Sequence, residues 1–246
     1  MTDIETAASM IVAARRASAK IPVLSGDLAP ASVEEAYAIQ DASMRLLGPV
    51  GGWKLAIGAS LSCSPIPADV IFPISATMSA GRSYKIEAEI CIMIGKDLEQ
   101  QQSADTIRDA IASVHPAVET VLSRFSAQAP KEQGLADCQS NETVIVGKAI
   151  DGWTSSGLAS TQMTLSIGGE TATANFDSAS IEAMFSPLAW LANHALARGM
   201  PLRKGQLVIT GALLKTGDHL KAPVPGRPCS IAVGVDHRQA ISLELA

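Results

Sequence analysis

The stretch YKIEAEICIMIG, residues 84–95, decides how the chain is read. Successive side chains of a β-strand point to opposite faces. Ile86, Ala88, Ile90, Ile92 and Ile94 then form an aliphatic face that must pack on a core, while Lys85, Glu87, Glu89, Cys91 and Met93 share the other face. That second face admits two readings. It is the wet side of an antiparallel sheet, or Glu87 and Glu89, about 7 Å apart along the strand, repel each other until a cation sits between them. Carboxylates of this kind suit Mg2+ or Mn2+ rather than zinc.

A third acid would favour the cation. Glu119, in AVETVLSR (117–124), lies in a second apolar strand where an unpaired charge is costly. It either joins the acidic pair or is held by Arg124. Lys54, in GGWKLAIG (51–58), stands between glycines and apolar residues. A desolvated lysine there loses its proton near neutral pH and serves as acid or base, unless it simply snorkels to the surface. Asp137 and Ser140, in LADCQSNE (135–142), read as ordinary turn chemistry.

Away from this centre the chain divides into a helical region, 1–50, and a β-rich core, 51–246. Thr2-x-x-Glu5 and Ser32-x-x-Glu35 have capping-box form and predict helices over about 4–18 and 33–47, the second stopping at Gly48. SPIPADVIFPIS (64–75) is extended or looped because of its prolines. A short polar helix is expected near 103–113. A stronger one has Ser186 as N-cap, Pro187 in its first turn and Gly199 after its last. NETVIVG, TQMTLSIGG, QLVITG, CSIAVGV and AISLELA are strand-like, the last two joined as a hairpin through DHRQ. Runs of helix followed by runs of strand predict an α+β fold, not alternating βαβ units.

Composition excludes several function classes. With 47% hydrophobic and 17% charged residues the chain is globular, and a net charge of −5 gives nucleic acid no basic patch to bind. The four cysteines, at 63, 91, 138 and 229, lack ribbon spacing and point to a reducing, cytoplasmic setting. Neither a leader nor an apolar run of membrane-spanning length is signalled, so no membrane partner is expected. No P-loop, GxGxxG or GxSxG occurs, and the four histidines show no HxxxH spacing. His194, inside the helix that carries Trp190, reads as structural.

In their order along the chain, AYAIQ, GGWKLAIGAS, KIEAEICIMIGKDL, HPAVETVLSRF, LADCQS, SPLAWLANHALARG and LVITGAL resemble the 2-keto-4-pentenoate hydratase and 4-oxalocrotonate decarboxylase group of the fumarylacetoacetate hydrolase superfamily. The similarity runs from about Ile21 to Val235. It implies a mixed β-roll of that superfamily's C-terminal-domain type with a helical N-terminal region. It implies that Glu87, Glu89 and Glu119 hold Mg2+ or Mn2+, that Lys54 assists proton transfer, and that Leu55, Asp137, Ser140 and Thr210 lie on the substrate side. The implied substrate is a small 2-oxo acid and the implied assembly a homo-oligomer. Three segments depart from the group's pattern: Ala56-Ile57-Gly58-Ala59-Ser60 replaces Gly-Leu-Thr-Ser, Leu122-Ser123-Arg124 replaces Asp-Ser-Arg, and Asp137-Cys138-Gln139-Ser140 replaces Asp-Asn-Ala-Ser. The implied reaction is hydration of a 2-hydroxy-2,4-dienoate in aromatic-compound catabolism, with decarboxylation of a 2-oxo-enedioate as the nearest alternative. C–C hydrolysis of an acylpyruvate would want a His–Glu pair ahead of the metal strand, and no histidine precedes His115. A non-catalytic, metal-stabilised homologue is the remaining alternative.

Overall fold

The computed structural model describes residues 2–153, 160–217 and 219–246. Its first half runs α1 (Ile4–Arg16), α2 (Val33–Leu47), β1 (Val50–Ala56), β2 (Ser62–Pro67), β3 (Ile71–Pro73), β4 (Ser75–Met78), β5 (Lys85–Ile94), α3 (Ala104–Arg108) and β6 (Ile111–Val121). The second half adds α4 (Lys131–Ala136), β7 (Asn141–Val146), β8 (Thr161–Ile167), β9 (Glu170–Phe176), α5 (Ser178–Glu182), α6 (Phe185–Ala197), β10 (Leu207–Lys215), β11 (Cys229–Val235) and β12 (Arg238–Leu245).

Two sheets result. One has the order β2-β1-β10-β5-β6-β7-β3 and the other β4-β12-β11-β8-β9. The seven-stranded sheet curls into a roll, as the resemblance implies. Its strands bring distant residues together: β1 lies parallel to β10, with Gly52 beside Leu207 and Lys54 beside Ile209. On the inside of the roll Ile66, Cys91, Ala117, Val144, Leu207 and Ile209 form a small apolar plug. On the outside Ile86, Ala88, Ile90, Ile92 and Ile94 join the main core with Ala7, Ala8 and Ile11 of α1 and the inward residues of β8, β11 and β12. Alternation along β5 therefore sends its aliphatic face to the main core and its acidic face into the roll.

The glycines of GGWK are required by this curl. A Cβ on Gly51 would stand 2.6 Å from Ala68 Cα, and one on Gly52 would stand 2.7 Å from Leu207 Cγ. Prolines fit β2 because it is an edge strand of the roll. At the terminal hairpin Asp236 and His237 both take positive φ (47° and 64°), the geometry of a two-residue turn whose twist matches its strands.

Several local expectations are corrected. The first helix is capped by Asp3, whose side chain accepts the Thr6 N–H, while Thr2 donates to Glu35 instead. That helix ends at Arg16, two residues early. The polar helix stops at Arg108, because Ile111 already pairs with Ile94 in the sheet. Ser186 is not an N-cap: α6 begins at Phe185, preceded by a short turn of helix capped by Asp177. Strand β9 escaped notice, since ETATANF alternates threonine with alanine rather than with strong hydrophobes. Among the described residues no helix is long and apolar enough to cross a membrane.

Candidate metal centre

In the antiparallel pairing of β5 with β6, Glu87 stands directly opposite Glu119, and Glu89 lies one pleat further along. One carboxylate oxygen from each of the three lies within 4.8 Å of the others. Strand β10 flanks Glu89 on its other side, and its register shifts between Ile209 and Ala212. Gly211, at φ +97°, turns its N–H to Glu89 Oε2 at 2.8 Å. Lys54 reaches in from β1, placing Nζ 2.5 Å from Glu119 Oε2 and 3.5 Å from Glu87 Oε2.

Lys85 shares the strand face of the glutamates, and Arg124 was the alternative partner of Glu119, but neither joins the cluster. Lys85 is exposed at the start of β5, and Arg124 is paired with Asp137 and Glu142. Lys54 does so instead.

Glu89 and Glu119 are fully buried, whereas the Glu87 side chain keeps 20% of its surface, so the cluster opens to solvent through Glu87. Burial, with the charge of Glu119 added, holds the Glu89 carboxyl well above the ordinary range. Burial raises Glu119 as well, against the opposing pull of Lys54. Burial works against the charge of Lys54, but Glu119, Glu87 and Glu89 outweigh it and hold the ammonium above its ordinary value. Among its glutamates, with no cation bound, Lys54 is thus favoured in its ammonium form.

The donor set fits a divalent cation. Glu89 Oε1 is buried with no hydrogen-bond partner, which is costly for a carboxylate unless something positive meets it. Three carboxylates against one ammonium leave a formal deficit of two positive charges, and every donor is a hard oxygen. Cys91, next on the same face, belongs to the apolar plug, and burial, with the charge of Glu89 added, pushes its thiol up.

The other candidates occupy different surroundings. The Leu55 side chain is buried in the main core. Thr210 is buried at the β10 irregularity and donates its hydroxyl to Ile90 O at 3.0 Å. Asp137 accepts the Arg124 N–H at 2.9 Å and lies 3.4 Å from Arg124 Nε. Burial raises its carboxyl, with Arg124 opposing. Ser140 ends a turn in which Cys138, Gln139 and Ser140 all take left-handed φ (48°, 53° and 60°), at roughly 1–2 kcal/mol each. One site residue went unread in the sequence. Asn141, fully buried, donates Nδ2 to Glu119 Oε1 at 2.8 Å. The one available signal was a polar amide opening an apolar strand.

A cavity of about 700 Å3 borders Arg15, Arg82, Tyr84 and Glu142, and none of Lys54, Glu87, Glu89 or Glu119 lines it. The acidic cluster stands on its chemistry.

Comparison with known proteins gives the family. The family described as fumarylacetoacetate (FAA) hydrolase C-terminal matches residues 53–233. The chain belongs to that family. Within the FAA hydrolase family, 2-keto-4-pentenoate hydratase 1 of Dechloromonas aromatica (strain RCB) is 29% identical over 246 aligned residues, covering 90% of this chain and 93% of the relative. The structure of 4-oxalocrotonate decarboxylase from Pseudomonas putida G7, complexed with magnesium and adipate, superposes with a TM-score of 0.80 at 19% identity, covering 99% of this chain and 97% of that one. Fumarylpyruvate hydrolase from Pseudomonas aeruginosa, in complex with Mn2+ and pyruvate, gives a TM-score of 0.54 at 14% identity over 79% of this chain and 88% of that one. The chain is an enzyme of the lyase type.

Proposed function

We propose that this FAA hydrolase family member is a divalent-cation-dependent hydratase that adds water to a 2-hydroxy-2,4-dienoate and yields a 4-hydroxy-2-oxo acid. The observation that carries the cation is Glu89 Oε1, buried and unpartnered among three convergent carboxylates. The full-length similarity to a 2-keto-4-pentenoate hydratase supports the reaction.

Glu87, Glu89 and Glu119 would hold Mg2+ or Mn2+. The bound cation supplies Lewis-acid polarisation of the oxygens of a 2-oxo acid. Hydration requires the dienol to move a proton from its 2-hydroxyl to the far carbon before water adds. Lys54, within reach of Glu119 and Glu87, enters this sequence by assisting proton transfer. Its place beside Glu87, the open edge of the cluster, lets it meet a ligand arriving from solvent. The Leu55 backbone and Thr210 border the site on β1 and β10, and we assign them, with Asp137 and Ser140, to the substrate side. The reading also includes a cytoplasmic homo-oligomer.

The test is to incubate the protein and Mg2+ separately with a 2-hydroxydienoate and with a 2-oxo-enedioate. Mg2+-dependent loss of the dienol absorbance without CO2 release is the expected result. CO2 release from the second substrate replaces the hydratase with a decarboxylase, and no turnover of either overturns the reading.

A further inference from the structure

Asn141 makes contacts that neither packing nor sheet pairing requires. Its amide is fully buried, and Nδ2 donates to Glu119 Oε1 at 2.8 Å. A carboxylate only accepts, so the amide is oriented by chemistry: nitrogen toward Glu119, oxygen away. That oxygen, Oδ1, is buried and has no hydrogen-bond partner. Glu119 is meanwhile held at both ends, Oε1 by Asn141 and Oε2 by Lys54. Its carboxylate cannot rotate without breaking one of the two contacts.

The backbone that carries Asn141 is fixed with equal care. Its carbonyl accepts from Arg15 Nη1 of α1 at 2.7 Å and from Arg124 Nη2, and the next carbonyl, Glu142 O, accepts from Arg15 Nη2 at 2.9 Å. Directly before it lie the three left-handed residues Cys138, Gln139 and Ser140. Gln139 is tied on both amide atoms, to Ser62 Oγ at 2.9 Å and Ser64 Oγ at 3.0 Å. Strained backbone of this sort persists only where the surroundings over-determine it, and it gathers at functional sites. The element that the strain delivers is Asn141. An asparagine serving only to cap a strand would have both polar ends satisfied.

We infer that Asn141 is a positioning residue of the carboxylate cluster, fixing through Nδ2 the carboxylate of Glu119 that would face the cation. The inference rests on the cation reading above. It also gives the helical N-terminal region a part in the site, because Arg15 on α1 pins the residue that orients Glu119.

Calorimetric titration of Mn2+ into the substrate-free protein tests it. Asn141→Leu should raise the Mn2+ dissociation constant by roughly 10–100-fold, the usual effect of losing an outer partner of a metal ligand. Asn141→Ala is the second variant should leucine not fit. Asn141→Gln, which keeps the amide, should recover part of the affinity, and the Mn2+ paramagnetic resonance line shape should shift in the leucine and alanine variants. Wild-type affinity in either of those two, beside a wild-type protein that binds Mn2+, overturns the inference and leaves the cation reading intact. A wild-type protein that binds neither Mn2+ nor Mg2+ overturns both. A lower melting temperature with unchanged affinity shows a structural role only and also overturns the inference.

Discussion

Lys54 and Glu119 form a buried ion pair, Nζ 2.5 Å from Oε2, between strands that stand three places apart in the roll. The pair has a second effect, since the same ammonium faces Glu87 at 3.5 Å. One cation thus restrains a cluster whose three members repel each other.

Replacing that cation exposes the repulsion. Removing one partner of a buried pair costs about 3–5 kcal/mol, and a chain of this size loses about 2–4 °C per kcal/mol. Lys54→Met in EDTA should therefore melt roughly 6–20 °C below wild type. Added Mg2+ should stabilise the variant more than it stabilises wild type, because the ion takes over the missing charge. Differential scanning fluorimetry with and without Mg2+ reads both quantities, and a variant that melts with wild type would show that the pair does not restrain the cluster.

Glu89→Gln should separate stability from function. The change keeps the shape of the side chain and removes a charge that burial opposes. The cation-free protein should melt higher than wild type, while Mn2+ binding falls by more than about 100-fold, beyond the loss of a mere outer partner. Titration calorimetry beside a thermal melt checks the pair of outcomes. Retained Mn2+ affinity would remove Glu89 from the site.

His194 gives the fold a dependence on pH. Its ring stacks on Trp190 at 5.0 Å and tilts against Tyr37 at 4.5 Å. Burial, and next the charge of Arg198, lower its pKa, with Asp41 opposing. A histidine whose folded pKa is depressed refuses the proton that the unfolded chain accepts, so its stabilising contribution is lost as pH falls through about 6.5. Between pH 7.5 and 5.5 the wild-type melting temperature should fall relative to that of His194→Phe, which keeps a ring in the stack. Parallel curves would clear His194 of the effect.

Gly52→Ala tests the curl of the roll. The new methyl would meet Leu207 Cγ at 2.7 Å and the Leu207 carbonyl oxygen at 2.8 Å. Overpacking of this kind costs about 1–3 kcal/mol. Urea unfolding should show that loss at an unchanged m-value, with weaker Mn2+ binding as Lys54 is displaced. Wild-type stability would mean that β1 and β10 separate without cost.

Much of this was legible along β5, because an alternating strand declares both of its faces: aliphatic residues at 86 to 94 in the main core, acids in the roll. Glu119, a lone acid in an apolar strand, had to find a partner, but the residues alone left that partner open between the acidic pair and Arg124. What the residues hid was set by tertiary register. Lys54 meets Glu119 only because β10 inserts between β1 and β5. The irregularity that frees the Gly211 N–H for Glu89 has no signature in LVITGAL beyond the glycine itself. Cys138, Gln139 and Ser140 are not residues that announce left-handed backbone, so the turn delivering Asn141 read as ordinary loop. Ser186-Pro187 carries a helix-start signature that the chain does not use, since Asp177 has already begun the helical segment.

The insertion of β10 between β1 and β5 also fixes when the site is born. Gly52 waits for Leu207, and Glu89 for Ala212, so neither flank of the cluster is complete until residues near 210 have been synthesised. Pairings so distant in sequence form slowly. On the ribosome, β5 and β6 can pair as neighbours and present their three acids before Lys54 is held against them. The nascent hairpin is then an acidic ribbon, and the arrival of β10 with β1 closes its flank.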